Sequence, residues 1–163
     1  MQKDFPENLV TFTENFGIDP KRLEIEITEN MFMSDIQACT HKLQVLSNRG
    51  ISIAIDDFGT GYSSLNYLRE LPVHTVKIDY SFVTEIEHSS KGAALVAAIV
   101  GMAHGLGIDI VAEGVENDCQ ADYLEGLGCY TMQGFLFSKP LKVAEFLDRV
   151  GTQQAAIPTQ SKA

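Results

Sequence analysis

Tryptophan is absent from this 163-residue sequence, cysteine occurs three times, proline five times, and 12 basic residues face 22 acidic ones. Cys39, Cys119 and Cys129 are odd in number and unevenly spaced, which makes neither a zinc knuckle nor a disulfide framework. They are expected to be reduced, packed thiols. The shortage of Lys and Arg leaves a formal net charge of −10. That disfavours a non-specific grip on DNA, RNA or anionic membranes, so no nucleic-acid polymer is expected as a partner. Long apolar runs are missing too. The longest, Gly92 to Ala103, is too short to span a bilayer and ends at His104, so no membrane segment is expected. The opening MQKDFPENL has no basic-then-apolar leader pattern, which makes a cytoplasmic setting the expectation. No Gly-x-Ser-x-Gly elbow occurs, and His41, His74, His88 and His104 show no metal-ligand spacing.

The 45% hydrophobic content with 9% aromatics excludes intrinsic disorder, and the length suits one domain. We expect that domain over residues 1–151. Thr152 to Ala163 lacks apolar periodicity and reads as a disordered tail.

Short β-rich runs recur at Leu23–Thr28, Ile51–Asp56, Thr75–Asp79, Ile108–Glu113 and Tyr130–Phe135. Helical patterns separate them. Ser34 to Arg49 opens with a capping box, Ser34 with Gln37, and closes at Gly50. Lys91 to Leu106 sets Leu95, Ile99, Met102 and Leu106 on one stripe. Asn117 caps a helix that runs to Leu127. An opening helix carries Leu9, Phe12 and Phe16, and a closing one carries Val143, Phe146, Leu147 and Val150. Helix-length connections force parallel pairing, so the fold class is α/β. A closed (β/α) barrel takes eight such units and about 250 residues. Five strands make either an open doubly wound sheet or part of a barrel.

Polar residues gather at the strand ends. Glu26 and Glu29 end the first strand, Asp56 and Asp57 the second, Lys77 and Asp79 the third, Glu113 and Glu116 the fourth, and Gln133 lies on the fifth. Parallel strands put those ends on one side, where barrels and open sheets alike build function. Converging carboxylates repel one another unless cations compensate, and Lys77 is the one local positive charge. One or two hard divalent cations, Mg²⁺ or Mn²⁺, would resolve that. The alternative is that each acid caps the helix after its strand.

These residues form the words EITEN, IAIDDFGTGYSSL, VKIDYSFV, VAEGVE and MQGFLFSKP. Together, from about Phe5 to Val150, they make a sequence that resembles the EAL family of cyclic di-GMP phosphodiesterases. These are (β/α) TIM-type barrels that use two metal ions to hydrolyse one phosphodiester bond, yielding linear pGpG. The resemblance implies that Glu26 and Asp56 belong to the metal cluster and that Asp57 ligates the second metal. It implies that Lys77 holds the attacking water and the transition-state charge. Glu113 matches a second-metal ligand that also acts as general base. Glu116 and Gln133 match contacts to the guanine end of the substrate, and Glu29 matches the anchor of the DDFGTGYSS loop. A homodimer, or upstream sensor and GGDEF domains, are the implied partners. The Glu-Ala-Leu word and an asparagine ligand on the following strand do not occur in their expected places. The expectation is therefore an incomplete barrel of about five parallel strands with flanking helices, two metal ligands short. A module that binds cyclic di-GMP or a protein without cleavage is the alternative, and another metal-dependent barrel enzyme a third.

Overall fold

The computed structural model describes residues 4–29, 31, 36–60 and 68–156. Helix α1 (Phe5–Phe16) and a 3₁₀ turn (Pro20–Arg22) lead into β1 (Glu24–Thr28), α2 (Ile36–Ser47) and β2 (Ser52–Phe58). After them come β3 (Thr75–Ile78), α3 (Tyr80–His88), α4 (Ser90–Leu106), β4 (Asp109–Glu113), α5 (Asp118–Gly126), β5 (Thr131–Gln133) and α6 (Val143–Ala156). The five strands lie in chain order, β1-β2-β3-β4-β5, and every pairing is parallel. Among the described residues β1 and β5 are the two ends of the sheet, so the barrel is incomplete, as the strand count implies.

Alternation along each strand divides the sheet into two faces. Ile27, Ile53, Ile55, Val76, Ile78, Ile110 and Ala112 occupy one face and are all buried. They join one core with Leu43 and Leu46 of α2, Val83 of α3, Val96, Ile99, Val100 and Ala103 of α4, and Leu124 of α5. Fully burying each such aliphatic side chain is worth about 1.5–3 kcal/mol, so this row holds the helices to the sheet. The register pairs Thr28 with Asp56, Ala54 with Thr75, Lys77 with Val111 and Glu113 with Gln133. The opposite face is therefore polar, running from Glu26 and Asp56 through Lys77 to Glu113 and Gln133. In a closed barrel that row faces the interior.

Several local expectations hold. Gly50 ends α2 at φ 85, and the Ile51 amide closes back on the Leu46 carbonyl at 3.2 Å. Asn117 caps α5 by accepting the Gln120 amide. Others are corrected. The crossover from β3 to β4 holds two helices: α3 was hidden behind Asp79, whose carboxylate caps it, and Ser89 then starts α4. On α4 the buried stripe is Val96, Ile99, Val100 and Ala103, while Leu95 and Leu106 are exposed. The helix is apolar nearly all round, so periodicity does not single out its inner face. Phe12 and Phe16 are exposed, their rings 4.6 Å apart, and Thr13 and Pro6 take the inner positions of α1. Val143, Phe146 and Leu147 of α6 are exposed as well, because the sheet ends at β5. Cys39 and Cys129 are buried, but Cys119 is exposed, and no disulfide joins them. Helix α6 continues through Thr152 to Ala156. The Ser34 capping residue, Gly61 to Ser64 and residues 157–163 lie outside the described residues.

Candidate active site

Four strands deliver the centre of the site. The Lys77 ammonium on β3 lies 2.8 Å from Glu26 Oε1 on β1, 2.8 Å from Glu113 Oε1 on β4 and 3.3 Å from Asp56 Oδ1 on β2. Parallel pairing makes this possible: residues of one parity reach the same face at the same end of four neighbouring strands. The Lys77 side chain is 11% exposed, whereas Glu26 is 48% exposed, so the cluster is a half-open bowl with the lysine at its floor.

Burial by itself lowers the Lys77 pKa. The hydrogen bonds to Glu113 and Glu26, reinforced by the Glu113 charge and by Asp56, overcome that and carry it above the ordinary lysine value. Lys77 is thus a fixed positive charge in this arrangement. It still leaves the cluster two negative charges in excess, with three carboxylates around one ammonium.

Asp57 takes a different place from its neighbour. A register shift between Ile55 and Phe58 interrupts the β2–β3 ladder, and Asp57 adopts φ 53. Left-handed backbone suits Asp better than most residues, and such outliers gather at functional sites. Its carboxyl is pushed above the ordinary range by burial first, then by the charges of Asp56 and Asp79; Lys77 pulls it back in part. Asp79 is buried, and its Oδ1 accepts hydrogen bonds from the Ser81 amide, at 3.0 Å, and from the Ser81 hydroxyl. Sequence reasoning noted Asp79 at a strand end without giving it a role. The signal was the Asp-x-Ser spacing of a helix cap.

Glu29, 1% exposed just beyond β1, accepts the Gly59 amide at 3.1 Å and so ties the end of β1 to the loop leaving β2. Glu116 and Gln133 share a cavity of about 240 Å³ with Tyr80, Gly114, Gly134 and Phe135. The cavity depends on Gly114. At φ 71 it lets the chain pass beside Tyr80, where a Cβ on residue 114 would lie 2.5 Å from the Tyr80 Cβ. A larger cavity of about 450 Å³ adjoins this one through Gln133, Gly134 and Phe135, and one of about 430 Å³ sits at the opposite ends of the strands, around Glu24, Thr75, Asp109 and Thr131. The titratable cluster, not cavity size, marks the site.

The donor set suits a hard divalent cation: all carboxylate oxygen, with excess negative charge. The buried Asp56 Oδ1 also receives no hydrogen bond and meets the Lys77 ammonium alone. Among the described residues no three acids form a ready cation cage, and the point where they converge is taken by the Lys77 ammonium. The strand-end reading therefore brings together Glu26, Asp56, Lys77 and Glu113. It sets Asp57 beside them, and Glu116 with Gln133 in an adjoining cavity.

A family model described as EAL domain matches residues 1–140. The chain is 46% identical over 134 residues to the bifunctional diguanylate cyclase/cyclic di-GMP phosphodiesterase MucR of Pseudomonas aeruginosa. That alignment takes in 82% of this chain and 20% of MucR, so the chain spans about a fifth of this relative. Its fold is similar to the crystal structure of the EAL domain of Mycobacterium smegmatis DcpA, with a TM-score of 0.86 and 39% identity, covering 93% of this chain and 68% of that one. It is also similar to Klebsiella pneumoniae BlrP1 in a manganese and cyclic di-GMP complex, with a TM-score of 0.78 and 35% identity, covering 85% and 35%. The strand-end acids, the parallel sheet and these likenesses agree: the chain belongs to the EAL domain family.

Proposed function

We propose that this chain is the part of a cyclic di-GMP phosphodiesterase that carries most of its catalytic residues, acting with Mg²⁺ or Mn²⁺ to release linear pGpG. The observation that carries the reading is the Lys77 ammonium held by Glu26, Asp56 and Glu113 at one end of a parallel sheet. Membership of the EAL family and the likeness to cyclic di-GMP complexes support it.

In this reading Glu26, Asp56, Asp57 and Glu113 hold the cations, and Glu113 also takes a proton from the attacking water. Divalent metal at such a site supplies Lewis acidity and a lowered water pKa. Lys77 keeps its charge and meets the negative charge that develops on the phosphoryl oxygens. Glu116 and Gln133 hold the guanine end through their shared cavity, and Glu29 anchors the loop after Asp57. The domain is placed over residues 1–151 in a cytoplasmic protein, as a homodimer or downstream of sensor or GGDEF domains. The relative MucR, a bifunctional diguanylate cyclase/cyclic di-GMP phosphodiesterase, supports a multidomain setting.

The test is chromatographic detection of pGpG from cyclic di-GMP with Mn²⁺ or Mg²⁺. It is run on this chain alone and on the chain supplemented with the remaining βα units of an EAL domain. We expect slow release from the chain alone and strong stimulation by the supplement, both abolished by chelation. Tight binding of cyclic di-GMP with no pGpG under any condition would replace hydrolysis by the binding-module reading. Release that persists after chelation would remove the metals from the reading.

A further inference from the structure

We propose that Gln120 is the positioning residue for Glu116, an inference that rests on the reading above in which Glu116 meets the substrate's base. Gln120 lies on the first turn of α5 and is 4% exposed, an unusual place for a glutamine carboxamide. Burial requires that both ends of the amide be satisfied. Its Oε1 accepts the Glu116 backbone amide at 2.8 Å, and its Nε2 donates to Glu87 Oε2 on α3 at 3.2 Å. The same Glu87 oxygen accepts from Asn117 Nδ2 at 2.7 Å. Capping of α5 is already done by Asn117, whose Oδ1 accepts the Gln120 amide at 3.0 Å. The Gln120 side chain is therefore not needed for the cap. It reaches past the helix end to the residue that faces the cavity.

The neighbouring bonds show what this achieves. The Val115 amide donates to the Gln133 carbonyl at 3.0 Å, and the Leu136 amide donates to the Val115 carbonyl at 3.0 Å, which fixes the loop to β5 on one side. Gln120 fixes the next residue from the other side, against α3, the helix that Asp79 caps two residues after Lys77. Glu116 and Gln133 thus keep a set spacing across their cavity, and that spacing is referred to the strand that carries Lys77.

The experiment compares this chain with Gln120→Met, which keeps length but no hydrogen bonds, and Gln120→Glu, which keeps the acceptor for the Glu116 amide. Two readouts are taken: amide hydrogen exchange at Glu116, and the Kd for cyclic di-GMP with Ca²⁺, titrated as a function of pH. For Gln120→Met we expect Glu116 exchange and Kd each to rise about tenfold, with the last turn of α5 unchanged. For Gln120→Glu we expect partial rescue that improves as pH falls, because protonation restores a donor to Glu87. Unchanged Glu116 exchange in Gln120→Met would overturn the inference, as would equal Kd in both proteins. Failure of both variants to fold would do the same by showing a purely structural role. Lack of cyclic di-GMP binding by the unsubstituted chain would instead sink the proposed function, while Glu116 exchange would still decide the positioning.

Discussion

Glu29 and Gly59 are joined by one hydrogen bond of 3.1 Å across 30 residues, and the accepting carboxylate is 1% exposed. That bond couples the residue after β1 to the loop that begins just past Asp57. A buried bond to a charged group contributes about 1.5–3 kcal/mol. Replacing Glu29 with Ala should therefore lower the melting temperature. In an active EAL domain it should cut turnover more than it weakens the Mn²⁺-induced thermal shift. Equal losses of both would make Glu29 a ligand rather than an anchor.

Lys77 and the metals are predicted to be separable. Lys77→Met should reduce pGpG release by about 10²–10³-fold, the cost of losing one preorganised charge at a developing anion. The thermal shift produced by Mn²⁺ should survive or grow, since the three carboxylates lose a competing cation. Disappearance of the shift along with turnover would show that the lysine builds the cation site.

Asp57 sets a pH dependence of known sign. Its folded pKa lies above the ordinary 3.8, by burial and then by Asp56 and Asp79, so the folded state holds the proton more tightly than the unfolded one. The unfolded chain then binds fewer protons, and stability falls as pH rises from the unfolded through the folded value. Asp57→Asn, which tolerates the φ of 53, should flatten that part of a melting-temperature profile against pH. A profile identical to that of the unsubstituted chain would refute the assignment.

Two glycine substitutions should act in opposite directions. Gly101 sits within α4 where an added Cβ would meet nothing within 4 Å, so Gly101→Ala should stabilise by about 0.5–1 kcal/mol. Gly114 stands at φ 71 against Tyr80, so Gly114→Ala should destabilise by more than the about 1–2 kcal/mol of left-handed strain alone. Urea unfolding midpoints measure both.

The thiols should react in order of access. Cys119 is exposed, while Cys129 is buried with its pKa raised chiefly by burial, backbone hydrogen bonds at Thr131 and Ala112 opposing this in part. In the native protein at pH 8 a thiol reagent should label Cys119 promptly, with Cys129 and Cys39 following only on unfolding. Rapid labelling of all three would contradict the burial.

Much was legible in the amino-acid order. Alternating β-rich and helical runs determined a parallel α/β sheet, because crossover lengths leave no other pairing. The acids at successive strand ends determined at which end of the sheet the carboxylates gather, because parallel strands finish on the same side. The tertiary structure alone decided which of those acids meet. Asp56 and Asp57 are adjacent in the chain, yet a one-residue step reverses the face of a strand. Register thus brings Asp56 to Lys77 and leaves Asp57, within the irregularity, beside Asp79. The inner face of α4 and the burial of Gln120 were decided in the same way. An all-round apolar helix carries no directional pattern, and a glutamine looks solvated until a distant Glu87 and a loop amide are brought against it. Local sequence sets what each segment prefers; only long-range packing selects its neighbours.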